Sequence, residues 1–114
     1  MSEFELFQEL QAKTRQLDKS VKLLRETGRD YAQAERDYKV HLRTECLKLR
    51  DAGMAIGMID KTCYGIPSVA DLRFKRDCAE AIYKANLEAI NSTKLQIRII
   101  NEQLGREWGQ GGAT

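Results

Sequence analysis

The stretch Leu10-Gln-Ala-Lys-Thr-Arg-Gln-Leu17-Asp-Lys-Ser-Val21-Lys-Leu-Leu24-Arg-Glu-Thr-Gly28-Arg-Asp-Tyr31-Ala-Gln-Ala-Glu-Arg-Asp-Tyr38 decides the fold. Leu10, Leu17, Leu24, Tyr31 and Tyr38 recur every seven residues, while Phe7, Val21, Leu42 and Leu49 fall four residues out of step. Side chains three and four apart share one face of an α-helix, so this half predicts one long amphipathic helix. A second run repeats the pattern, with Val69, Tyr83, Ile90, Ile97 and Leu104 at one phase and Leu72, Ala79 and Ile100 beside them. The expected fold is all-α: a long antiparallel helical hairpin, coiled-coil-like, pairing into a four-helix bundle or larger oligomer.

The boundaries follow from local signals. Ser2 followed three residues later by Glu5 reads as a capping box, so the first helix spans about residues 3 to 52 and stops before Gly53. Gly28 is its weak point, costing about 1 kcal/mol relative to Ala in a helix interior. The repeat keeps its phase from Leu24 to Tyr31, so the helix is expected to pass through Gly28; a break there, giving three helices, is the alternative. Residues 53 to 67 hold three glycines and the only proline, which places the turn. Met54, Ile56, Met58, Ile59 and Tyr64 make this segment too apolar for a purely solvated loop, and one helical turn over the end of the hairpin is expected. Pro67 suits the first turn of a second helix over residues 68 to 108, with Ser68 and Asp71 complementing its free N–H groups. Residues 109 to 114 read as a flexible tail, and residues 1 to 114 as a single domain.

Composition narrows the function classes. Nineteen Lys and Arg face seventeen Asp and Glu, and the signs are interleaved, as in Glu35-Arg-Asp-Tyr-Lys39. Interleaved charges form a solvated helix surface and give no strong push toward nucleic acid. No apolar run approaches the ~20 residues of a membrane span, and the N-terminus lacks the features of a secretory signal. Cys46, Cys63 and Cys78 are odd in number and have no close pairing in sequence, which fits reduced thiols in a cytoplasm.

No motif carries chemistry. With His41, the cysteines supply zinc-ligand types, but there is no CxxC pair, and His41 and Cys46 are five apart on a helix and point in different directions. One His, no GxSxG and no glycine-rich phosphate loop argue against an enzyme, and no catalytic, cofactor or metal residues are assigned. The stretch from Lys48 to Leu72 resembles a helix-turn-helix at Ile56, Ile59, Gly65, Ile66 and Val69. Asp60 stands where such motifs keep a small buried residue, and Pro67 would open the recognition helix.

What remains is binding. On the second helix Ile82, Tyr83, Leu87, Ile90, Ile97, Ile99, Ile100 and Leu104 spread wider than one helix covers, so self-association is expected. The candidate self-association residues are Leu10, Leu17, Leu24, Tyr31, Tyr38, Tyr83, Ile90, Ile97, Leu104 and Trp108. Trp108 closes the bundle end or anchors a partner, since tryptophan is enriched at interface hot spots. Thr14, Glu35, Asn86 and Thr93 interrupt the stripes, and such polar positions fix register or oligomer state. The candidate surface for a different protein is Met54, Ile56, Met58, Ile59 and Tyr64 with the basic residues Arg73, Lys75 and Arg76. Replacing Met58 and Ile59 with Asp is then expected to abolish binding and spare helicity.

The segments Ala34-Glu-Arg-Asp-Tyr-Lys-Val40, Leu49-Arg-Asp-Ala-Gly-Met54, Val69-Ala-Asp-Leu-Arg-Phe-Lys-Arg-Asp-Cys-Ala-Glu-Ala-Ile-Tyr-Lys-Ala85 and Ile99-Ile-Asn-Glu-Gln-Leu-Gly-Arg-Glu-Trp108 resemble small helical proteins of phages and prophages of Gram-positive bacteria. The likeness covers roughly residues 30 to 109. It implies a phage or prophage origin, a bacterial cytoplasmic setting and an accessory role, with no functional residues to carry over. The expectation is a non-enzymatic protein acting through protein–protein contact, with replication, recombination or host-defence components as partners. The alternatives are non-specific nucleic-acid binding through the basic turn end, and sequestration of a nucleotide-like ligand by an oligomer.

Overall fold

The computed structural model describes the backbone of residues 1–112 and the side chains of residues 1–109. Within that range the chain is all-helical: α1 (Glu3–Asp51), α2 (Ile56–Cys63) and α3 (Pro67–Gly112).

Each end of α1 has a chemical cause. The Glu5 N–H donates to Ser2 Oγ at 3.1 Å, and the Ser2 N–H donates to Glu5 Oε2 at 3.4 Å, completing the capping box. Glu3 and Glu5 complement the positive end of the helix dipole, and Lys48 and Arg50 complement the negative end. At the C-terminus the Gly53 N–H donates to the Arg50 carbonyl at 3.0 Å and the Met54 N–H to the Leu49 carbonyl at 3.1 Å. Those two bonds are the Schellman pattern, and they require the φ of +90° that Gly53 adopts. α1 passes through Gly28 without a break.

α2 is longer than the single turn expected, at eight residues. It starts at Ala55 without a side-chain cap, and Ile59 and Cys63 form its buried face. The chain leaves it through bonds from the Gly65 N–H to the Thr62 carbonyl and from the Ile66 N–H to the Cys63 carbonyl. Pro67 then opens α3, where its missing N–H costs nothing. α3 continues to Gly112, past the end expected at Trp108. Of the expected tail, 113 and 114 lie outside the described residues.

The chain divides into two compact units, each taking a segment from α1 and from α3: Met1–Arg25 with Lys84–Thr114, and Glu26–Tyr83. In the first, Leu6, Ile90 and Ile100 are buried together with the polar Asn86 and Thr93. The Asn86 amide donates to the Ser20 carbonyl at 3.0 Å, and the Thr93 hydroxyl donates to the Ala89 carbonyl. Leu6 and Ile100 line one groove, so within this unit rising numbers in α1 meet falling numbers in α3.

In the second unit Tyr38, Cys63 and Val69 form a buried cluster, with Leu42, Cys46, Leu49, Ile66 and Leu72 packed on it. Further along, the Tyr31 and Tyr83 rings pack at 5.8 Å, tilted by 36°. Thr27 and Ala34 are buried here.

One phase of the α1 repeat differs from expectation. Leu42 and Leu49 pack on the core, but Phe7 and Val21 of the same phase are exposed, and Leu6, Thr27 and Ala34 are buried instead. Leu6, Thr27 and Ala34 keep one seven-residue phase of their own, which with Leu10 to Tyr38 makes a seam spaced three and four, and the phase of Phe7 and Val21 joins the core only beyond Tyr38, at Leu42 and Leu49. On α3 both expected phases hold: Val69, Ile90 and Ile100 are buried, and Leu72, Ala79, Tyr83, Ile97 and Leu104 are half-buried.

Candidate functional site

The second unit shows how the turn segment is held. Ile59, 8% exposed, and Cys63, fully buried, anchor α2, while Ile56 is 80% exposed, Met58 53% exposed, and Tyr64 projects as well. Met54 is half-buried. The apolar surface proposed from sequence is therefore split, and Ile59 belongs to the core. An Asp there would place a charge inside the fold, so Ile59 cannot serve as a surface probe.

The basic group is split in the same way. Arg73 and Lys75 are exposed, but Arg76 is spoken for. Its Nε and Nη2 donate to Asp77 Oδ1 at 3.0 and 2.8 Å, and its guanidinium lies 4.7 Å from the centre of the Tyr38 ring. The Asp77 hydrogen bond is the main cause holding the Arg76 pKa above its usual value. Lys75 shares a groove with Asp30 and Asp37, which dilutes its charge.

The structure also brings together residues that lie far apart in sequence. His41 Nε2 and Ser68 Oγ share a hydrogen bond at 2.8 Å, so Ser68 faces α1 and does not cap α3 as the sequence suggested. Glu45 Oε1 lies 3.8 Å from the same ring nitrogen. A hydrolytic triad places its acid on the other ring nitrogen, where it orients the base. Here Ser68 and Glu45 meet one nitrogen. Cys46 and Cys63 approach to 3.2 Å between Sγ atoms, although 17 positions separate them. Sequence inspection missed this pair because their distance depends on the path through Gly53 and α2, and no spacing rule for ligands or disulfides encodes that path.

In the first unit the structure gathers apolar side chains that the sequence left scattered. Phe4, Phe7, Leu10, Leu104 and Trp108 line one groove together with Glu3. Phe4 is 69% exposed, Phe7 50% and Trp108 72%. Trp108 does not close the end of the fold; it stands open. Among the other self-association candidates, Leu10, Leu17, Leu24, Tyr31, Tyr83, Ile97 and Leu104 are half-buried, whereas Tyr38 and Ile90 are buried within the chain's own core. The signal in the sequence is length: a second helix shorter than the first leaves the turns around Phe4 and Phe7 projecting, and the structure sets Trp108 beside them.

Among the described residues no group of three or more His, Cys, Asp or Glu side chains is placed to hold a metal ion, and no helix is long and apolar enough to cross a membrane. These features define an all-α chain whose notable surfaces are apolar faces and a thiol pair. No family model, curated protein or solved structure matches the chain.

Proposed function

We propose that this chain is a non-enzymatic interaction protein: a helical hairpin that pairs with a second copy of itself and displays the outer face of α2 to a different protein. The observation that carries the reading is the open groove of Phe4, Phe7 and Trp108. Burying a large apolar side chain contributes roughly 1.5–3 kcal/mol, and a pair of helices has only one seam in which to do so. Val21, Leu95 and Ile99 of the same unit are also about half exposed, Ile99 in a separate groove with Leu6 and Ile100. Large contiguous apolar patches on folded proteins mark interaction sites. A four-helix bundle of two hairpins covers such a surface with the same kinds of side chain.

The resemblance over residues 30 to 109 supports an accessory role of the phage or prophage type in a bacterial cytoplasm. Ile56, Met58 and Tyr64, with Arg73 and Lys75, are the residues offered to the second protein.

Sedimentation equilibrium tests the pairing. At tens of micromolar the wild-type chain is expected at twice the monomer mass or more, and the double variant Phe4→Glu, Trp108→Glu at monomer mass with its helical circular dichroism retained. A wild-type chain that stays monomeric at these concentrations overturns the proposal.

A further inference from the structure

We propose that Cys46 and Cys63 are a redox-active dithiol that a small disulfide of the glutathione type converts to an intramolecular disulfide, locking α2 onto α1. The Sγ atoms lie 3.2 Å apart, the Cys46 S–H donating to the Cys63 sulfur. The Cys63 S–H donates in turn to the Leu42 carbonyl at 3.6 Å. Bond formation needs the sulfurs to close to about 2.05 Å, a movement that rotation of the half-buried Cys46 side chain supplies.

The two thiols are not equivalent, which sets the order of events. Cys46 is half-buried and lines a groove with Arg43, Arg50 and Asp60, whereas Cys63 is fully buried. Burial, reinforced by the Cys46 neighbour and then by Glu45 and Asp60, pushes the Cys63 thiol up to about 11. Cys46 is therefore the thiol that an incoming disulfide meets, with two guanidinium groups beside it to attract an anionic one. In the first exchange Cys46 sulfur attacks the small disulfide, one thiol leaves with a proton, and a mixed disulfide remains on Cys46. In the second, Cys63 sulfur attacks Cys46 sulfur, its proton passes to the second leaving thiol, and the Cys46–Cys63 bond is made. One small disulfide is reduced to two thiols as two protein thiols are oxidised.

The bond closes a loop containing Gly53 and nearly all of α2, so the face bearing Ile56 and Met58 is braced when the pair is oxidised. This inference is independent of self-association. Cys78 is exposed and belongs to neither element, which makes Cys78→Ser a neutral background.

The full-length Cys78→Ser protein, reduced and then incubated with oxidised glutathione, is read by intact mass after denaturation and alkylation. The expected product accepts no alkyl groups, carries no glutathione, and regains both thiols with dithiothreitol. Its Tm is expected to exceed that of the reduced form by on the order of 10 °C. Cys63→Ala in the same background is expected to stop at one glutathione on Cys46. A stable glutathione adduct with Cys63 still alkylatable, a link between chains, or two thiols that persist would each overturn the assignment. An unchanged Tm on oxidation would overturn the bracing.

Discussion

A Cβ added at Gly28 would lie 3.3 Å from Tyr83 Cε1 and 3.7 Å from Cδ1. That contact explains a glycine in mid-helix better than flexibility does, because α1 is unbroken there and the Tyr83 ring is also packed against Tyr31, one turn along the same helix. Two terms oppose each other in Gly28→Ala. The helix gains about 1 kcal/mol from the better residue, and the half-buried Tyr83 ring must yield by a few tenths of an ångström. The expected result is a change within about 0.5 kcal/mol of zero in urea melts of the otherwise wild-type chain. In a Tyr83→Ala background the same substitution is expected to recover the full helix term of about 1 kcal/mol. Equal effects in the two backgrounds would mean that the ring does not dictate the glycine. At this scale the sequence was a partial guide. It marked Gly28 as tolerated without giving the reason, and it grouped Ile59 with Ile56 and Met58, and Arg76 with Arg73 and Lys75. Burial and pairing separate these neighbours, and both are set by contacts with distant residues such as Tyr38 that no local pattern reports.

Helix ends were the most legible elements, because their chemistry is local. Ser2 with Glu5, Gly53 and Pro67 stood where the capping box, the Schellman turn and the first turn of α3 fall. The α1 seam was less legible: beside Leu10 to Tyr38 the buried phase is that of Leu6, Thr27 and Ala34, not that of Phe7 and Val21, and two of its members are small. Small polar residues give no hydrophobic signal, so a helix face that buries them is silent in a periodicity search. The Gly53 turn offers a clean element-scale test. Nothing lies within 4 Å of a Cβ built there, so the cost of a side chain is purely that of the backbone at a φ of +90°. Gly53→Ala is expected to destabilise by about 1–2 kcal/mol in urea melts, and Gly53→Asn by less, because Asn tolerates left-handed backbone. If Ala were as good as Gly, the turn would have to re-form by another route, and α2 with it.

For the molecule as a whole, the charge balance bears on the nucleic-acid reading. The excess of two positive charges is spread over interleaved signs, and pairing in the structure leaves that excess unchanged but occupies cations one by one: Lys39 with Glu35, Lys48 with Glu45, and Arg76 with Asp77. Exposed pairs of this kind add little stability, but each cancels a charge that a phosphate would otherwise meet. Around the basic turn end Arg50, Lys61, Arg73 and Lys75 are exposed; Lys75 shares its groove with Asp30 and Asp37, and Arg50 shares one with Asp60. Non-specific affinity for nucleic acid scales with the number of phosphates neutralised, and its salt slope measures that number directly. With about four contacts the slope of log K against log salt should be no steeper than roughly −4 on a duplex, and binding at 150 mM salt should be weak, on the order of 100 µM. Fluorescence anisotropy of labelled single-stranded and duplex oligonucleotides measures both quantities. A slope several times steeper, with submicromolar affinity lost in Arg73→Glu, Lys75→Glu, would show that the chain assembles a cationic surface larger than one copy presents. Oligomerisation would then serve nucleic-acid binding, and the apolar face around Trp108 would be the means of building that surface.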